Sequence, residues 1–140
     1  MATTPLFLIV DDSRMSRMMI AKFIGQHRPE WRLLEAASGE EALTIIAQNA
    51  PDLISLDVNM PGLDGLQTAS RIRIRHPDIG IALCTANVQE SMRQSANKLG
   101  VHFIPKPVTQ QAIQTMIDLF EAEMNQGKRP RLTPLSTDGR

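Results

Sequence analysis

Four short motifs place chemically active side chains at the ends of strand-like apolar segments. Asp11-Asp12 follows the first apolar segment, Asp57 the third, Thr85-Ala86 the fourth and Lys106-Pro107 the fifth. Parallel strands of one sheet end at a common edge, where open α/β sheets bind their ligands. We therefore expect three carboxylates, a hydroxyl and an ammonium group to share one crevice.

The composition of this crevice indicates phosphoryl chemistry. Two carboxylates about 4 Å apart repel each other by roughly 4 kcal/mol at an effective dielectric constant of 20, so three of them require a cation. Carboxylate oxygens with retained waters suit Mg²⁺. With the ammonium of Lys106 and the hydroxyl of Thr85, such a metal site favours the negative charge of a phosphoryl group. The sequence has no glycine-rich loop to hold a nucleotide, so the simplest nucleophile is a carboxylate of the protein itself.

Segments of strand length alternate with stretches of helical periodicity. The predicted strands are Leu6–Val10, Arg32–Ala36, Leu53–Leu56, Ile79–Leu83 and Val101–Ile104. The predicted helices are about Arg14–Gln26, a second from the Ser38 cap to about Asn49, a third after Asp64, about Val88–Leu99 and about Gln110–Met124. A capping box is expected at Ser38 and Glu41, and an N-cap at Asp64.

The helices differ in how much apolar surface they offer. Broad core faces are predicted for the first helix (Met19, Ile20, Phe23, Ile24) and the last (Ala112, Ile113, Met116, Ile117, Leu119, Phe120). In the third helix we expect Ala69 and Ile72 to be buried and Ile74 to be exposed. The fourth helix has only a narrow apolar line, formed by Val88, Met92, Ala96 and Leu99. Few apolar contacts predict low local stability there.

Five βα units with right-handed crossovers predict a doubly wound α/β sandwich. In the flavodoxin-like (βα)5 arrangement the parallel strands follow the order 2-1-3-4-5. This order places Asp11-Asp12 beside Asp57, with Thr85 one strand further and Lys106 beyond it. The second strand, which carries no motif, then lies at the edge of the sheet.

Composition limits the possible functions. The 140 residues are 42% hydrophobic and 21% charged with no net charge, whereas residues 1–124 hold 11 basic and 14 acidic groups. An acidic body that is poor in aromatic residues argues against nucleic-acid binding. No apolar stretch has the length of a membrane span, and the single Cys84 is expected to be a buried apolar residue. We expect a cytoplasmic protein with one domain at 1–124 and a flexible tail at 125–140, without membrane insertion.

The motifs together resemble the receiver domain of two-component response regulators, in particular the single-domain chemotaxis type. The resemblance rests on Val10–Ser13, Asp57–Gly65, Thr85-Ala86 and Lys106-Pro107, in this order and at these spacings. It covers about residues 6–124. It implies a phosphoprotein that passes on a signal by changing its binding to other proteins, and that catalyses only its own phosphorylation and dephosphorylation.

The resemblance also implies a role for each site residue. Asp57 would take a phosphoryl group from the phosphohistidine of a sensor kinase or phosphotransfer protein, or from a small phosphodonor. Mg²⁺ would be held by Asp12, Asp57 and the backbone carbonyl of Asn59, with Asp11 acting through water. Lys106, Thr85 and the backbone of Val58 and Ala86 would contact the phosphate. Thr85 and Phe103 would form the switch, and the peptide bond before Pro107 would be cis.

The resemblance implies two classes of partner. A kinase would bind at the first helix near Met18, which is expected to be exposed. A downstream protein would bind at the fourth helix, the fifth strand and the fifth helix. The chain would be a monomer or a weak phosphorylation-dependent dimer. Two alternatives stay open, a Mg²⁺-dependent phosphatase of a small phosphoester and an unphosphorylated scaffold. His27, His76 and His102 lack metal-ligand spacing and are expected in surface loops. Asn59 and Asn87 stand at positions that tune hydrolysis in the family.

Overall fold

A computed structural model describes residues 4–86 and 89–126, in which five strands alternate with five α-helices. The strands are β1 (Leu6–Val10), β2 (Arg32–Ala36), β3 (Leu53–Asp57), β4 (Gly80–Thr85) and β5 (His102–Pro105). The helices are α1 (Arg14–His27), α2 (Gly39–Gln48), α3 (Gly65–Arg75), α4 (Glu90–Leu99) and α5 (Gln110–Asn125).

The strands form one parallel sheet in the order β2-β1-β3-β4-β5, which confirms the predicted fold. Side chains alternate across the sheet, so β1 supplies both cores. Leu8 and Val10 pack with α2, α3 and α4, whereas Phe7 and Ile9 pack with α1 and α5. Every residue of β3 and β4 is buried, as expected for central strands covered on both faces.

Polar side chains define the starts of four helices. Ser13, Ser38, Asp64 and Thr109 each accept a hydrogen bond from a backbone N–H in the first turn of α1, α2, α3 and α5, respectively. At Asp64 the capping box is complete. At α2 the carboxylate of Glu41 accepts from the N–H of Ala37, one residue before the predicted partner. Helix α4 starts without a side-chain cap.

The helical faces are narrower than predicted. Met19 is 46% exposed and Leu119 is 43% exposed, although both were expected in the core. The sheet covers only residues about one turn apart, such as Ile20 and Ile24 in α1, and side chains at the margin of the apolar arc remain outside. The exposure of Ile74, at 79%, confirms that prediction, and Ala69 and Ile72 are buried.

The ends of two strands and the positions of the histidines differ from the predictions. The last two strands begin and end one or two residues later than predicted, so Thr85 belongs to β4 itself. His102 lies in β5, not in a loop, and its ring pairs with Glu123 of α5 at 3.0 Å. His27 ends α1, and His76 caps the end of α3.

Three sequence predictions involve residues beyond the described chain. These are the start of the fourth helix at Val88, the role of Asn87, and residues 127–140 of the tail predicted at 125–140. The tail was predicted to start too early, because Asn125 still belongs to α5 and Gln126 caps its end. Among the described helices, none combines the length and apolar character that crossing a membrane requires.

An ion pair joins α1 to α5 on the far side of the sheet from α3. The Nε and Nη2 atoms of Arg28 donate to the two carboxylate oxygens of Glu121, at 2.8 and 2.6 Å. The hydrogen bond from Arg28 lowers the pKa of Glu121 below its ordinary value of 4.5, against the opposing effect of partial burial. Both side chains are about one third exposed, so water screens the pair and its contribution is modest.

We expect Glu121→Gln to lower the free energy of unfolding by less than about 1 kcal/mol at pH 7. A carboxylate whose pKa is lowered on folding stabilises the protein above its unfolded pKa, here 4.5, and this contribution is lost as the pH falls through the folded pKa. Urea unfolding should therefore show a difference between wild type and variant that shrinks with falling pH. A difference that grows in acid would contradict the assignment, and the double variant with Arg28→Gln isolates the pair.

Candidate functional site

An acidic cluster lies at the carboxyl edge of the sheet. One carboxylate oxygen from each of Asp11, Asp12 and Asp57 lies within 4.8 Å of the other two. Asp57 ends β3 and is 4% exposed, Asp11 follows β1 and is 2% exposed, and Asp12 faces solvent. The central pairing of β1 with β3 brings the three together, as the strand order predicted.

Several hydrogen bonds fix the loop between β1 and α1. The N–H of Asp11 donates to the carbonyl of Ala36, and the N–H of Ser13 donates to Oδ1 of Asp11 at 2.8 Å. From α1, Arg17 donates to the carbonyl oxygen of Asp11 at 2.7 Å and to the carboxylate of Glu35 at 2.9 Å. Arg17 thus links three elements behind the acids. The sequence contained no signal for this role, because Glu35 becomes its neighbour only when β2 pairs with β1.

Lys106 brings a positive charge to the cluster. Its Nζ lies 2.7 Å from Oδ1 of Asp57. The residue directly follows β5, its N–H donates to the carbonyl of Thr85, and the Lys106–Pro107 bond is cis, as expected from the resemblance. A lysine two strands away from Asp57 therefore reaches the same carboxylate.

The β3 and β4 strands align the remaining site residues. Cys84 is the register partner of Asp57, Thr85 is buried directly after it, and Ala86 is exposed. The N–H of Val58 donates to the carbonyl of Cys84 at 3.0 Å. The implied contact between the Val58 backbone and a phosphate would compete with this hydrogen bond, whereas Ala86 lies at the open side of the site.

Burial and charge change the ionisation of three groups here. Burial raises the pKa of Asp11, and the negative charge of Asp57 adds to the rise, while the hydrogen bond from Ser13 opposes it. Burial alone would lower the pKa of Lys106, but its contact with Asp57 outweighs this effect and raises the pKa. Burial raises the pKa of the Cys84 thiol to about 12. Cys84 is 1% exposed, which confirms the prediction that it is a buried residue.

A cavity of about 470 Å³ opens beside the acids. It is lined by Asp11, by Ser16, Met19 and Ile20 of α1, by Ala86, and by Lys106, Pro107 and Val108 after β5. Met19 lines it, and Met15 and Met18 are exposed on the same helix, at 72% and 59%. The exposure predicted for Met18 is confirmed.

A second group of contacts connects α4 with the edge strand β5 and with α3. The guanidinium carbon of Arg93 lies 5.4 Å from the ring centroid of Phe103. At the other end of α4, Arg73 of α3 donates to the carbonyl oxygens of Leu99, Gly100 and Ile79. Neither arginine contact was predictable from the sequence, because each joins a helix residue to a residue outside that helix.

Gly65 lets α3 start directly against the strand end that carries Asp57. Its N–H donates to the carbonyl of Val58 at 2.9 Å, and a Cβ at this position would overlap the carbonyl oxygen of Asp57 and approach the Cα of Val58 to 2.8 Å. These are backbone atoms, so they cannot move away as a flexible side chain does. Glycine at position 65 is therefore required by the close approach.

Comparison with known proteins gives one consistent result. The family described as "Response regulator receiver domain" matches residues 7–118. The positive alginate biosynthesis regulatory protein of Pseudomonas aeruginosa is 38% identical over 131 residues, which cover 92% of this chain and 49% of that protein. The chemotaxis protein CheY of Listeria monocytogenes is 36% identical over 101 residues, covering 71% of this chain and 84% of the relative.

A solved structure shows the same architecture. The chemotaxis protein CheY4 of Vibrio cholerae superposes with a TM-score of 0.77 at 23% identity, covering 84% of this chain and 99% of that one, and this likeness concerns the fold alone. The chain spans about half the length of the Pseudomonas relative. It belongs to the response regulator receiver domain family, whose members act as switches in two-component signalling.

We expect Gly65→Ala to lower the free energy of unfolding by about 1–3 kcal/mol, since the added methyl group would push α3 away from the strand end. Gly25→Ala is the matched control: no atom lies within 4 Å of a Cβ built there, and alanine favours the helix by about 0.5–1 kcal/mol. Urea unfolding of both variants measures the contrast. Equal stability of the two would refute the close approach at Gly65.

Proposed function

We propose that this receiver domain accepts a phosphoryl group on Asp57 from the phosphohistidine of a sensor histidine kinase or phosphotransfer protein. The observation that supports this most is the pairing of a buried carboxylate at the end of β3 with Lys106 at 2.7 Å, inside a cluster of two further acids. Small phosphodonors such as acetyl phosphate would react at the same position. The domain then catalyses only its own modification and hydrolysis.

The transfer is a substitution at phosphorus. A carboxylate oxygen of Asp57 forms the new P–O bond while the P–N bond to the donor imidazole breaks, and the imidazole leaves with the bonding electron pair. Lys106 stays protonated because its pKa is raised, so it balances negative charge on the phosphoryl oxygens. The hydroxyl of Thr85 and the backbone N–H of Ala86 contact the phosphoryl group from the β4 side. The N–H of Val58 can also contact it if its hydrogen bond to the carbonyl of Cys84 breaks.

The donor set of the acidic cluster fits Mg²⁺. Receiver domains in general depend on this ion, and three carboxylates within 4.8 Å supply the hard oxygen ligands that it prefers. Asp12, Asp57 and the backbone carbonyl of Asn59 would hold it, with Asp11 acting through water. Bound Mg²⁺ would neutralise the charge of the acids and of the phosphoryl oxygens. The tie from Arg17 to the carbonyl of Asp11 keeps the loop in place for this purpose.

We propose that the kinase or phosphotransfer partner binds at α1. Met18 is exposed on α1, and the cavity that α1 lines is also lined by Lys106, which contacts the reactive carboxylate of Asp57. A donor histidine would approach Asp57 from this side. Methionine side chains adapt to irregular partner surfaces. A cytoplasmic location and a monomer, or a weak dimer after phosphorylation, complete the proposal for residues 1–124.

Output is placed at the surface of α4, β5 and α5. The ring of Phe103 is half-buried, packs against the core and lies under Arg93 of α4. A dianionic adduct on Asp57 would attract the hydroxyl of Thr85, and the space released would let the ring move further inward. This movement would break the contact with Arg93 and shift α4, which has no side-chain cap at its start. A downstream protein would read the change.

Intact-mass measurement after incubation with acetyl phosphate and Mg²⁺ tests the proposal. We expect one added phosphoryl mass on the wild type, and none when a chelator removes the metal. Asp57→Asn should abolish the adduct, because the amide is a poor nucleophile.

The control is Glu90→Gln, which removes an exposed carboxylate of α4 and should label like the wild type. An adduct that persists in Asp57→Asn would disprove the assignment of the acceptor. Sustained turnover of a free phosphoester without a stable adduct would instead favour a phosphatase.

A second prediction concerns the switch. Loss of a cation–π contact worth about 0.5–1 kcal/mol should change the population of Phe103 ring positions by about two- to fivefold in Arg93→Ala. Fluorine NMR of protein labelled with fluorophenylalanine, with the Phe103 resonance assigned through Phe103→Leu, reports this change. The resonance should move toward that of the phosphorylated wild type. Arg93→Lys keeps the cation and should lie between the two; a Phe103 resonance unaffected by Arg93→Ala would argue against the coupling.

A further inference from the structure

A groove between α2 and α3 has no role in the site described above. It has a volume of about 890 Å³, and Leu43, Ile46 and Ala47 of α2 form one wall. Ile72 and Ile74 of α3 contribute to the other wall. Ile74 is the most exposed of the large hydrophobic residues in the described chain, at 79%. An apolar groove between two helices suits the apolar face of a third helix.

The rim of this groove is basic. Arg71, Arg75 and His76 line it, and no lining residue is acidic. Both Arg71 and Arg75 are exposed, and neither forms an ion pair within residues 4–86 and 89–126. Residues 1–124 carry more acidic than basic groups, so a basic rim is contrary to the overall charge of the body. Unpaired guanidinium groups beside an exposed isoleucine favour an acidic partner with an apolar stripe.

The groove lies away from the phosphoryl site. Helix α3 starts against Val58 at the carboxyl edge of the sheet and ends at Arg75, about 15 Å further along its axis. The N–H of Gly80 donates to the carbonyl of Asp52, which places the segment after α3 at the start of β3. A partner bound in the groove therefore does not cover Asp57.

We propose that the α2–α3 groove binds an acidic amphipathic helix of a partner protein, independently of the phosphorylation state of Asp57. The helix inserts apolar side chains from successive turns between Leu43 and Ile74, and its carboxylates pair with Arg71 and Arg75. The residues after 126 are a poor occupant because they hold four basic groups and one acidic group. Nucleic acid would gain nothing from the apolar walls, and a membrane surface would not fill a concave groove.

A peptide-display selection tests this proposal without assuming a sequence. A library of helical peptides of about four turns is selected on the wild-type chain and counter-selected on Ile74→Asp. We expect enriched peptides to carry net negative charge and apolar residues spaced three and four apart. By fluorescence anisotropy, they should bind about tenfold or more weakly to Ile74→Asp and to Arg71→Glu/Arg75→Glu, and binding should weaken with salt.

Matched variants make the result specific. Ile74→Leu keeps the apolar side chain, Lys22→Glu reverses an exposed charge on α1, and Asp57→Asn removes the proposed phosphoryl acceptor; all three should bind as the wild type does. Because Ile74 is exposed, Ile74→Asp should keep the circular dichroism and melting temperature of the wild type. If it unfolds, the arginine pair variant serves as the counter-selection target.

Several outcomes would overturn the proposal. These are the absence of enrichment over the counter-selection, enriched peptides with net positive charge, and binding that persists in both groove variants. Tighter Ile74-dependent binding to anionic vesicles or to duplex DNA would replace the helix with another ligand, and self-association that depends on Ile74 would replace it with a second copy. A change in peptide binding when the wild type is phosphorylated with acetyl phosphate and Mg²⁺ would disprove independence from phosphorylation, whereas failed phosphorylation of Asp57 leaves the peptide result unaffected.

Discussion

The contact between Lys106 and Asp57 is the interaction on which the rest of the site depends. The side chains of Asp11 and Asp57 are almost completely buried, and Lys106 brings a positive charge to within 2.7 Å of Asp57. Lys106 follows β5 and Asp57 ends β3, and only one strand, β4, lies between them, so the lysine side chain is long enough to reach the carboxylate. The strand order and the registers of β3 with β4 and of β4 with β5 position the two residues of this ion pair.

Much of this arrangement was predictable, because the reactive residues lie at or directly after the ends of the strands. A parallel sheet brings strand ends to one edge, so the spacing of Asp11, Asp57 and Lys106 was sufficient to predict that they meet. The alternation of strands and helices predicted a doubly wound sheet, and the placement of the motifs favoured the order 2-1-3-4-5, which the structure has. The functions of these residues remain proposals, since proximity defines which reaction is possible and not which one occurs.

Contacts made by helix side chains away from the strand ends were not predictable from the sequence. Arg17 reaches Glu35 through the pairing of β2 with β1, and Arg73 reaches the end of α4 because α3 and α4 pack side by side on one face of the sheet. Local periodicity contains no information about either distance. For the same reason the margins of helical faces were wrong: Met19 belongs to the apolar arc of α1, but its exposure is decided by how far the sheet and α5 extend beneath it.

The two ends of α4 are held differently, and this asymmetry suits a switch. Arg73 donates to the carbonyl oxygens of Leu99 and Gly100, so the last turn is attached to α3. The first turn has no side-chain cap, and only Ala96 of the helix is fully buried. Arg93 contacts Phe103 between these ends. Under the proposed switch, a change at Phe103 would act on the weakly held part of the helix, whereas the last turn is attached to α3, so α4 would pivot about its C-terminal end and not unfold as a whole.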